Sequence, residues 1–233
     1  MYKKLGILGG MGPLATYTLY KNIIEGTHAQ KDQDNIKMLI SNASDIPDRT
    51  EGILHGGESP LPYLLNELKI LENAGCDLIA IPCNTSHYFY DALQNNCNVR
   101  ILNMIDLTAE RLENLGVKRC YLMATEGIIK TGVYQKSMSR RNIETILPTD
   151  DEIKEMMHII YDGVKAGKIL DTTNLCNIAQ KYLNLGCEKI ILGCTEFSTE
   201  KGQIVGLDKS VTVDAMEVLK DKILESVGVK QDI

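Results

Sequence analysis

Two stretches of this chain repeat one another 111 residues apart. The first reads Gly75-Cys76-Asp77-Leu78-Ile79-Ala80-Ile81-Pro82-Cys83-Asn84-Thr85, and the second reads Gly186-Cys187-Glu188-Lys189-Ile190-Ile191-Leu192-Gly193-Cys194-Thr195-Glu196. Glycine, cysteine, an acid, an isoleucine and a second cysteine recur at one shift. A further pair precedes them: Lys3-Lys4-Leu5-Gly6-Ile7-Leu8-Gly9-Gly10-Met11-Gly12 is echoed by Lys118–Gly127, at a shift of 115. Each half therefore opens with a basic residue, an apolar run and a glycine turn. Each then reaches a helix, Gly-Cys-acid, another apolar run and a cysteine. Chance likeness between βαβ units is the alternative, but four landmarks in one order favour two similar lobes.

The short runs Leu5–Leu8, Lys37–Ile40, Leu78–Ile81, Arg100–Leu102, Cys120–Met123, Ile190–Leu192 and Ser210–Val213 read as strands. Between them lie stretches of helical spacing. Leu64, Leu65, Leu68 and Leu71 share one helix face before Gly75, and Ile178, Ala179, Tyr182 and Leu183 share another before Gly186. Glycine at the end of each suits a left-handed C-terminal cap. Strands alternating with helices predict an α/β fold with mostly parallel sheets flanked by helices. The last helix, about Asp214–Val227, is read as packing back on the first lobe. The division is therefore 1–102 plus 210–233 for the N-terminal lobe and 103–209 for the C-terminal lobe.

Composition narrows the class of function. An apolar content of 44% with 24% charged residues is that of a soluble globular chain. At 233 residues a core can form without disulfides. No apolar run reaches about 18 residues, so no membrane span is expected. The opening run Met1–Gly10, broken by glycines, reads as a strand and turn rather than a signal peptide. Seven cysteines, an odd number, predict reduced thiols in a cytoplasm. No CxxC pair supports a structural zinc. A net charge of −6 argues against nucleic acid, and an acidic ligand would need local cations.

Cys83 and Cys194 each follow a predicted buried strand, where open α/β sheets place ligands. Asn84, Thr85 and Thr195 read as caps of following helices, and a cysteine at a helix N-terminus has its thiolate favoured. The plain reading of a cysteine, a small buried hydrophobe, is assigned to Cys76, Cys97, Cys120, Cys176 and Cys187. Two thiols aimed at one carbon suit the transfer of a proton from one of its faces to the other. The loop Gly10-Met11-Gly12-Pro13-Leu14-Ala15 also fits the dinucleotide pattern G-x-G-x-x-A. The second strand ends Ile40-Ser41-Asn42 without the acid that a ribose would need. The glycines are therefore read as admitting a small substrate close to the backbone.

Gly9-Gly10-Met11-Gly12-Pro13, Pro82-Cys83-Asn84-Thr85 and Gly193-Cys194-Thr195-Glu196 together resemble the three signatures of the aspartate/glutamate racemase family, across nearly the whole chain. Ile46-Pro47-Asp48-Arg49-Thr50, and Glu196 where glutamate racemases resemble Gly-Cys-Thr-His, are similar to the aspartate racemase branch. The resemblance implies a two-lobe fold with the active site in the interlobe cleft. It implies racemisation without a cofactor or metal: one cysteine as thiolate removes the α-proton, and the other, as thiol, protonates the opposite face. By the family pattern Cys83 serves the D-isomer and Cys194 the L-isomer. Arg49 and Lys165 are the implied cations for an aspartate or glutamate carboxylate. Met11, Asn84, Thr85, Thr125, Thr195 and Glu196 complete the substrate-binding set. His87, a candidate proton shuttle, stands one turn beyond Cys83. A homodimer is implied as well. Phe197-Ser198 departs from the aliphatic-Pro continuation and leaves the turn after Glu196 open. The rival readings are a glutamate or broad-specificity racemase, a hydantoin racemase or maleate isomerase, and a non-catalytic dicarboxylate-binding protein.

Overall fold

The computed structural model describes residues 2–229. These divide into two compact units: one runs to Met104 and resumes at Leu219, and the other is Ile105–Val218. The first unit holds strands β1 (Leu5–Gly9), β2 (Met38–Asn42) and β3 (Leu78–Ala80). The second holds β4 (Arg119–Met123), β5 (Glu144–Ile146), β6 (Lys189–Leu192) and β7 (Thr212–Asp214). Every ladder is parallel, in the orders β2-β1-β3 and β5-β4-β6-β7. In the first unit Ile101 adds a single parallel bridge to Ile79 on the outer side of β3. The two sheets thus share one strand order, which is the structural counterpart of the sequence repeat.

Parallel strands covered on both faces read as continuous apolar runs. All five residues of β1 are buried, as are β3 and most of β4 and β6. The helix Leu61–Asn73 buries Leu64, Leu68 and Leu71, and Thr173–Asn184 buries Ile178, Ala179 and Tyr182. The chain leaves each of these helices through a left-handed glycine, Gly75 at φ +72° and Gly186 at φ +91°, where a Cβ would be strained.

Three expectations change. Arg100–Leu102 contributes only the Ile101 bridge, not a strand. β5 went unseen because three partly exposed residues with one isoleucine carry no periodic signal. The boundary at 209/210 moves to Val218/Leu219, because β7 pairs with β6 through Ile191↔Val213 and Leu192↔Asp214. The helix Ala215–Val227 therefore starts in the second unit and ends in the first. Residues 1 and 230–233, assigned from the sequence to the N-terminal lobe, lie outside the described residues.

One buried carboxylate braces the second unit. Glu152 and Thr149 form a reciprocal capping box at the start of the helix Asp150–His158. The Glu152 carboxylate also accepts from Tyr121 Oη (3.1 Å), Tyr182 Oη (2.9 Å) and Lys181 Nζ (2.9 Å). The two tyrosine rings stack with centroids 3.8 Å apart. Burial pushes this carboxyl up, but Lys181, the Thr149 amide and the Tyr182 hydroxyl outweigh it and hold the carboxyl below its ordinary value. A depressed carboxyl contributes stability above its unfolded-state pKa and loses it as pH falls. Glu152→Ala is accordingly expected to cost about 2–3 kcal/mol at neutral pH. It should also flatten the acid loss of stability between about pH 5 and pH 3, read by urea unfolding at stepped pH. An unchanged acid slope would show that Glu152 does not carry it.

Candidate active site

In the first unit the sequence-predicted residues gather beyond the carboxyl ends of the strands. Met11 follows β1, Arg49 lies downstream of β2, and Cys83, Asn84 and Thr85 follow β3. All five are buried, and Met11 and Cys83 belong to one apolar cluster with Ala43 and Ile46. Ser86 Oγ donates to Met11 Sδ at 3.3 Å. Arg49 opens the helix Arg49–Leu54, whose N-cap Asp48 accepts from the Thr50 and Glu51 amides. Only 7% of the arginine is exposed. Nη1 donates to the Ile46 and Pro47 carbonyls (3.2 and 3.1 Å) and Nη2 to the Met11 carbonyl (3.3 Å). Arg49 is therefore no solvated surface charge; it ties the glycine loop to the loop after β2.

The glycines of that loop serve packing. A Cβ on Gly9 would stand 2.3 Å from Thr16 Cγ2, and one on Gly10, at φ +91°, 2.4 Å from the Ala43 backbone. The Gly10 amide donates to Thr16 Oγ1 at 2.9 Å. Close approach of protein to protein accounts for both residues.

Around Cys83 the expected helix cap is absent. Asn84 makes no side-chain cap bond, and the chain runs through a 3-10 turn, Thr85–Phe89, before the helix Tyr90–Asn95. His87 is engaged at both ring nitrogens. Nδ1 lies 2.9 Å from the Cys83 carbonyl, and Nε2 lies 3.1 Å from the Met104 amide and 3.3 Å from the Leu102 carbonyl. These contacts make His87 a brace of the Cys83 backbone.

In the second unit Thr125 follows β4, and Cys194, Thr195 and Glu196 follow β6. All four are buried. Thr125 caps the helix Glu126–Thr131, accepting from the Ile128 amide. Lys165 ends a π-helical stretch, Ile159–Lys165, with Nζ 3.9 Å from the centroid of the Tyr161 ring. The Cys194 thiol donates to Glu196 Oε2 at 2.9 Å, and Thr195 Oγ1 reaches the same oxygen at 3.4 Å. Burial, then the Glu196 carboxylate, push the Cys194 thiol well up, while the Glu196 amide and Lys165 pull against them. The helix-terminus argument for a favoured thiolate fails at Cys194. The chain continues from this cysteine into a four-residue 3-10 turn, Thr195–Ser198, with no side-chain cap, too short to gather a macrodipole.

The turn left open by the sequence is held at both of its unusual residues. Phe197 packs into the apolar cluster of Tyr121, Met123 and Leu192, and Ser198 Oγ donates to Asp214 Oδ1 at 2.7 Å. Asp214, at the end of β7, also accepts from the Met216 amide at 2.8 Å, and burial pushes its carboxyl up to about 6. Asp214, the partner that holds Ser198, was not singled out from sequence. The only available signal was an acid between a predicted strand and a predicted helix.

Chemically, each unit places one buried cysteine past the end of its third strand in chain order, followed by a buried threonine, Thr85 two residues after Cys83 and Thr195 directly after Cys194. All seven cysteines are free. Among the described residues no group of three or more His, Cys, Asp or Glu side chains is placed to hold a metal ion. No helix among them is long and apolar enough to cross a membrane.

Comparison with known proteins identifies the family. The structure is similar to Picrophilus torridus aspartate racemase, at a TM-score of 0.83 and 30% identity, covering 99% of this chain and 96% of that one. It is also similar to an aspartate racemase homologue from Pyrococcus horikoshii, at a TM-score of 0.76 and 28% identity over 96% and 98% of the two chains. In sequence it is 25% identical to the broad specificity amino-acid racemase RacX of Bacillus subtilis, over 83% of this chain and 86% of that protein. The protein-family model for Asp/Glu/hydantoin racemases matches residues 8–219. With nearly the whole chain so matched, the protein belongs to the Asp/Glu/hydantoin racemase family and is a racemase-family enzyme.

Proposed function

We propose that this protein is a cofactor-independent amino-acid racemase whose substrate is aspartate, with Cys83 and Cys194 as its two acid/base groups. The observation that carries the reading is the duplicated placement of one buried cysteine beyond β3 and one beyond β6, in sheets of the same strand order. One sulfur, as thiolate, takes the α-proton; the other, as thiol, delivers a proton to the opposite face. Two thiolates would repel and neither could donate, so the pair works with one proton between them. The α-proton of an amino acid is a weak acid, so the carbanion needs hydrogen-bond donors and positive charge. Backbone amides of the Asn84-Thr85 and Thr195-Glu196 turns, the Thr125 hydroxyl, and the cations Arg49 and Lys165 are assigned to that work. Met11 lines the substrate.

Aspartate is supported by the likeness to the structures of an aspartate racemase, at 30% identity, and of an aspartate racemase homologue, at 28%. The similarity to RacX supports a second reading, a racemase of broader specificity. Racemisation of aspartate, glutamate and neutral amino acids, measured by chiral chromatography without pyridoxal phosphate or metal, separates the two. A kcat/KM highest for aspartate is expected, and comparable values across the set would favour the broader enzyme. The reading extends to a reducing cytoplasm, supported by the free cysteines, and to a homodimer, carried over from the family resemblance. Light scattering coupled to size exclusion tests the latter.

Arg49→Ala is expected to raise KM for aspartate about 10- to 100-fold, because a forked carboxylate contact is lost. It should also lower thermal stability, because three backbone carbonyls lose their donor. A lowered melting temperature with an unchanged KM would leave Arg49 as a loop brace only.

A further inference from the structure

We propose that the residue four places after each cysteine is its positioning residue, His87 for Cys83 and Ser198 for Cys194. Each ties its cysteine turn to the strand-to-helix junction beside it in its own unit. The proposal rests on the racemase reading and deepens it. What carries it is a correspondence hidden in the sequence, since histidine and serine are unlike. The 111-residue shift that relates Cys83 to Cys194 also relates His87 to Ser198. It relates the backbone beside them as well. Ile79 bridges Ile101 in the first unit, and Ile190 pairs with Thr212 in the second, so the two registers are the same. Asn103 and Asp214 are therefore equivalent points, each directly before a helix, Met104–Asn114 in one case and Ala215–Val227 in the other. Ser198 Oγ donates to Asp214 Oδ1 at 2.7 Å. His87 Nε2 lies 3.3 Å from the Leu102 carbonyl and 3.1 Å from the Met104 amide, on either side of Asn103. Two unlike side chains thus make the same tie at the same place.

The tie fixes the cysteine because it closes the chain around it. In the second unit Leu192 pairs with Asp214 in the ladder between β6 and β7, and Ser198 returns to the same residue. Residues 193–197, Cys194 among them, therefore start and end at Asp214. Within that loop the Phe197 amide donates to the Cys194 carbonyl at 3.1 Å, and the Gly193 amide to the Met123 carbonyl at 2.8 Å. Asp214 is itself fixed, since the same Oδ1 accepts from the Met216 amide at 2.8 Å. In the first unit the ring of His87 spans the gap alone, with Nδ1 2.9 Å from the Cys83 carbonyl and Nε2 at the junction. Neither residue has to touch substrate or carry a proton for this role. Proton transfer is efficient only at the right separation, and a misplacement of about 1 Å costs about 100-fold in rate. Each brace therefore governs one sulfur, and through it one α-configuration of the substrate.

Racemisation uses both sulfurs in every turnover, so it does not separate them. A substrate that eliminates a leaving group does. In 3-chloroaspartate, removal of the α-proton leaves an electron pair that forms Cα=Cβ as the C–Cl bond breaks and chloride departs. Each α-configuration reports the single cysteine that removes its proton, and Cys83→Ser and Cys194→Ser first assign the configurations. Ser198→Ala is expected to lower kcat for chloride release about 10- to 100-fold for the configuration served by Cys194, with KM little changed. Release from the other configuration should change by less than about threefold, which also shows that the variant is folded. His87→Gln, which has no group in the place of Nδ1, is expected to do the reverse. If His87→Gln does not fold, Ser198→Ala decides alone. Equal losses in both configurations, or no loss in either, would leave these residues as supports of the fold only. Either result overturns the proposal and leaves the racemase reading standing. Wild-type protein inert toward both configurations would instead remove the racemase reading, and the proposal with it.

Discussion

Replacing either Cys83 or Cys194 by serine is expected to lower aspartate racemisation by about 10³-fold or more, with little change in fold. The expectation comes from ionisation. A proton acceptor must be charged or chargeable in the working pH range, and a serine hydroxyl ionises far above it, whereas a thiol titrates near it. Both cysteines are buried, with 5% and 4% exposure, and serine is close to them in volume, so the core around each changes little. The two losses should not add in the double variant, because each sulfur is useless without the other. Chiral chromatography gives the rates and circular dichroism checks the fold. A single variant that racemises at the wild-type rate would show that its sulfur takes no part.

Gly202→Ala is the second variant with a large expected effect, and it acts through the backbone of the turn that carries Glu196. A Cβ there would lie 2.0 Å from the Glu196 carbonyl oxygen, 2.8 Å from its carbon and 2.9 Å from Val164 Cγ2. The nearest atoms are backbone, so no side-chain rotation relieves the overlap, and the segment from Cys194 to Gly202 must move. A displacement of about 1 Å at a proton-transferring group costs about 100-fold in rate. The same overlap should lower the melting temperature by several degrees, about 2–4 °C for each kcal/mol at this chain length. Thr199→Ala is the matched comparison. It removes the Thr199 Oγ1 bond to the Glu196 carbonyl (2.7 Å) but adds no overlap, and should cost far less. A folded Gly202→Ala enzyme with wild-type kcat would show that the turn's position does not matter.

The cysteines were legible because duplication marks them twice. Helix ends at Gly75 and Gly186 were legible because only glycine takes that backbone at no cost. The surroundings of the cysteines were less so. Asn84 and Thr195 have the composition of caps, yet Asn84 leads into a 3-10 turn with its cap bond unmade, and Thr195 lies inside a 3-10 turn whose cap position is Cys194. Arg49 looked like a loop cation; its burial rests on carbonyls at Met11, Ile46 and Pro47, and sequence gives no sign of the fold bringing Met11 there. Gly9 and Gly10 announced a close approach but not the partners, which are Thr16 and the Ala43 backbone. The Ser198–Asp214 bond depends on the register of β7 against β6, and β7 had been assigned to the other lobe. Cys194 and Glu196 were two residues apart in plain view, but spacing alone did not choose between a helix-start acid, an ammonium site and a thiol partner.

The central claim is that two different sulfurs handle the two faces of one α-carbon. Its most direct measurement is the isotope pattern of early turnover in deuterated water, starting from L-aspartate of natural abundance and following both enantiomers by chiral mass spectrometry. With two bases, the D-aspartate formed first carries deuterium at the α-carbon while the remaining L-aspartate stays protiated, because solvent protons enter only through the sulfur on the product side. Deuterium entering the recovered L-aspartate as fast as it enters the product would mean that one base serves both faces, and would contradict the account.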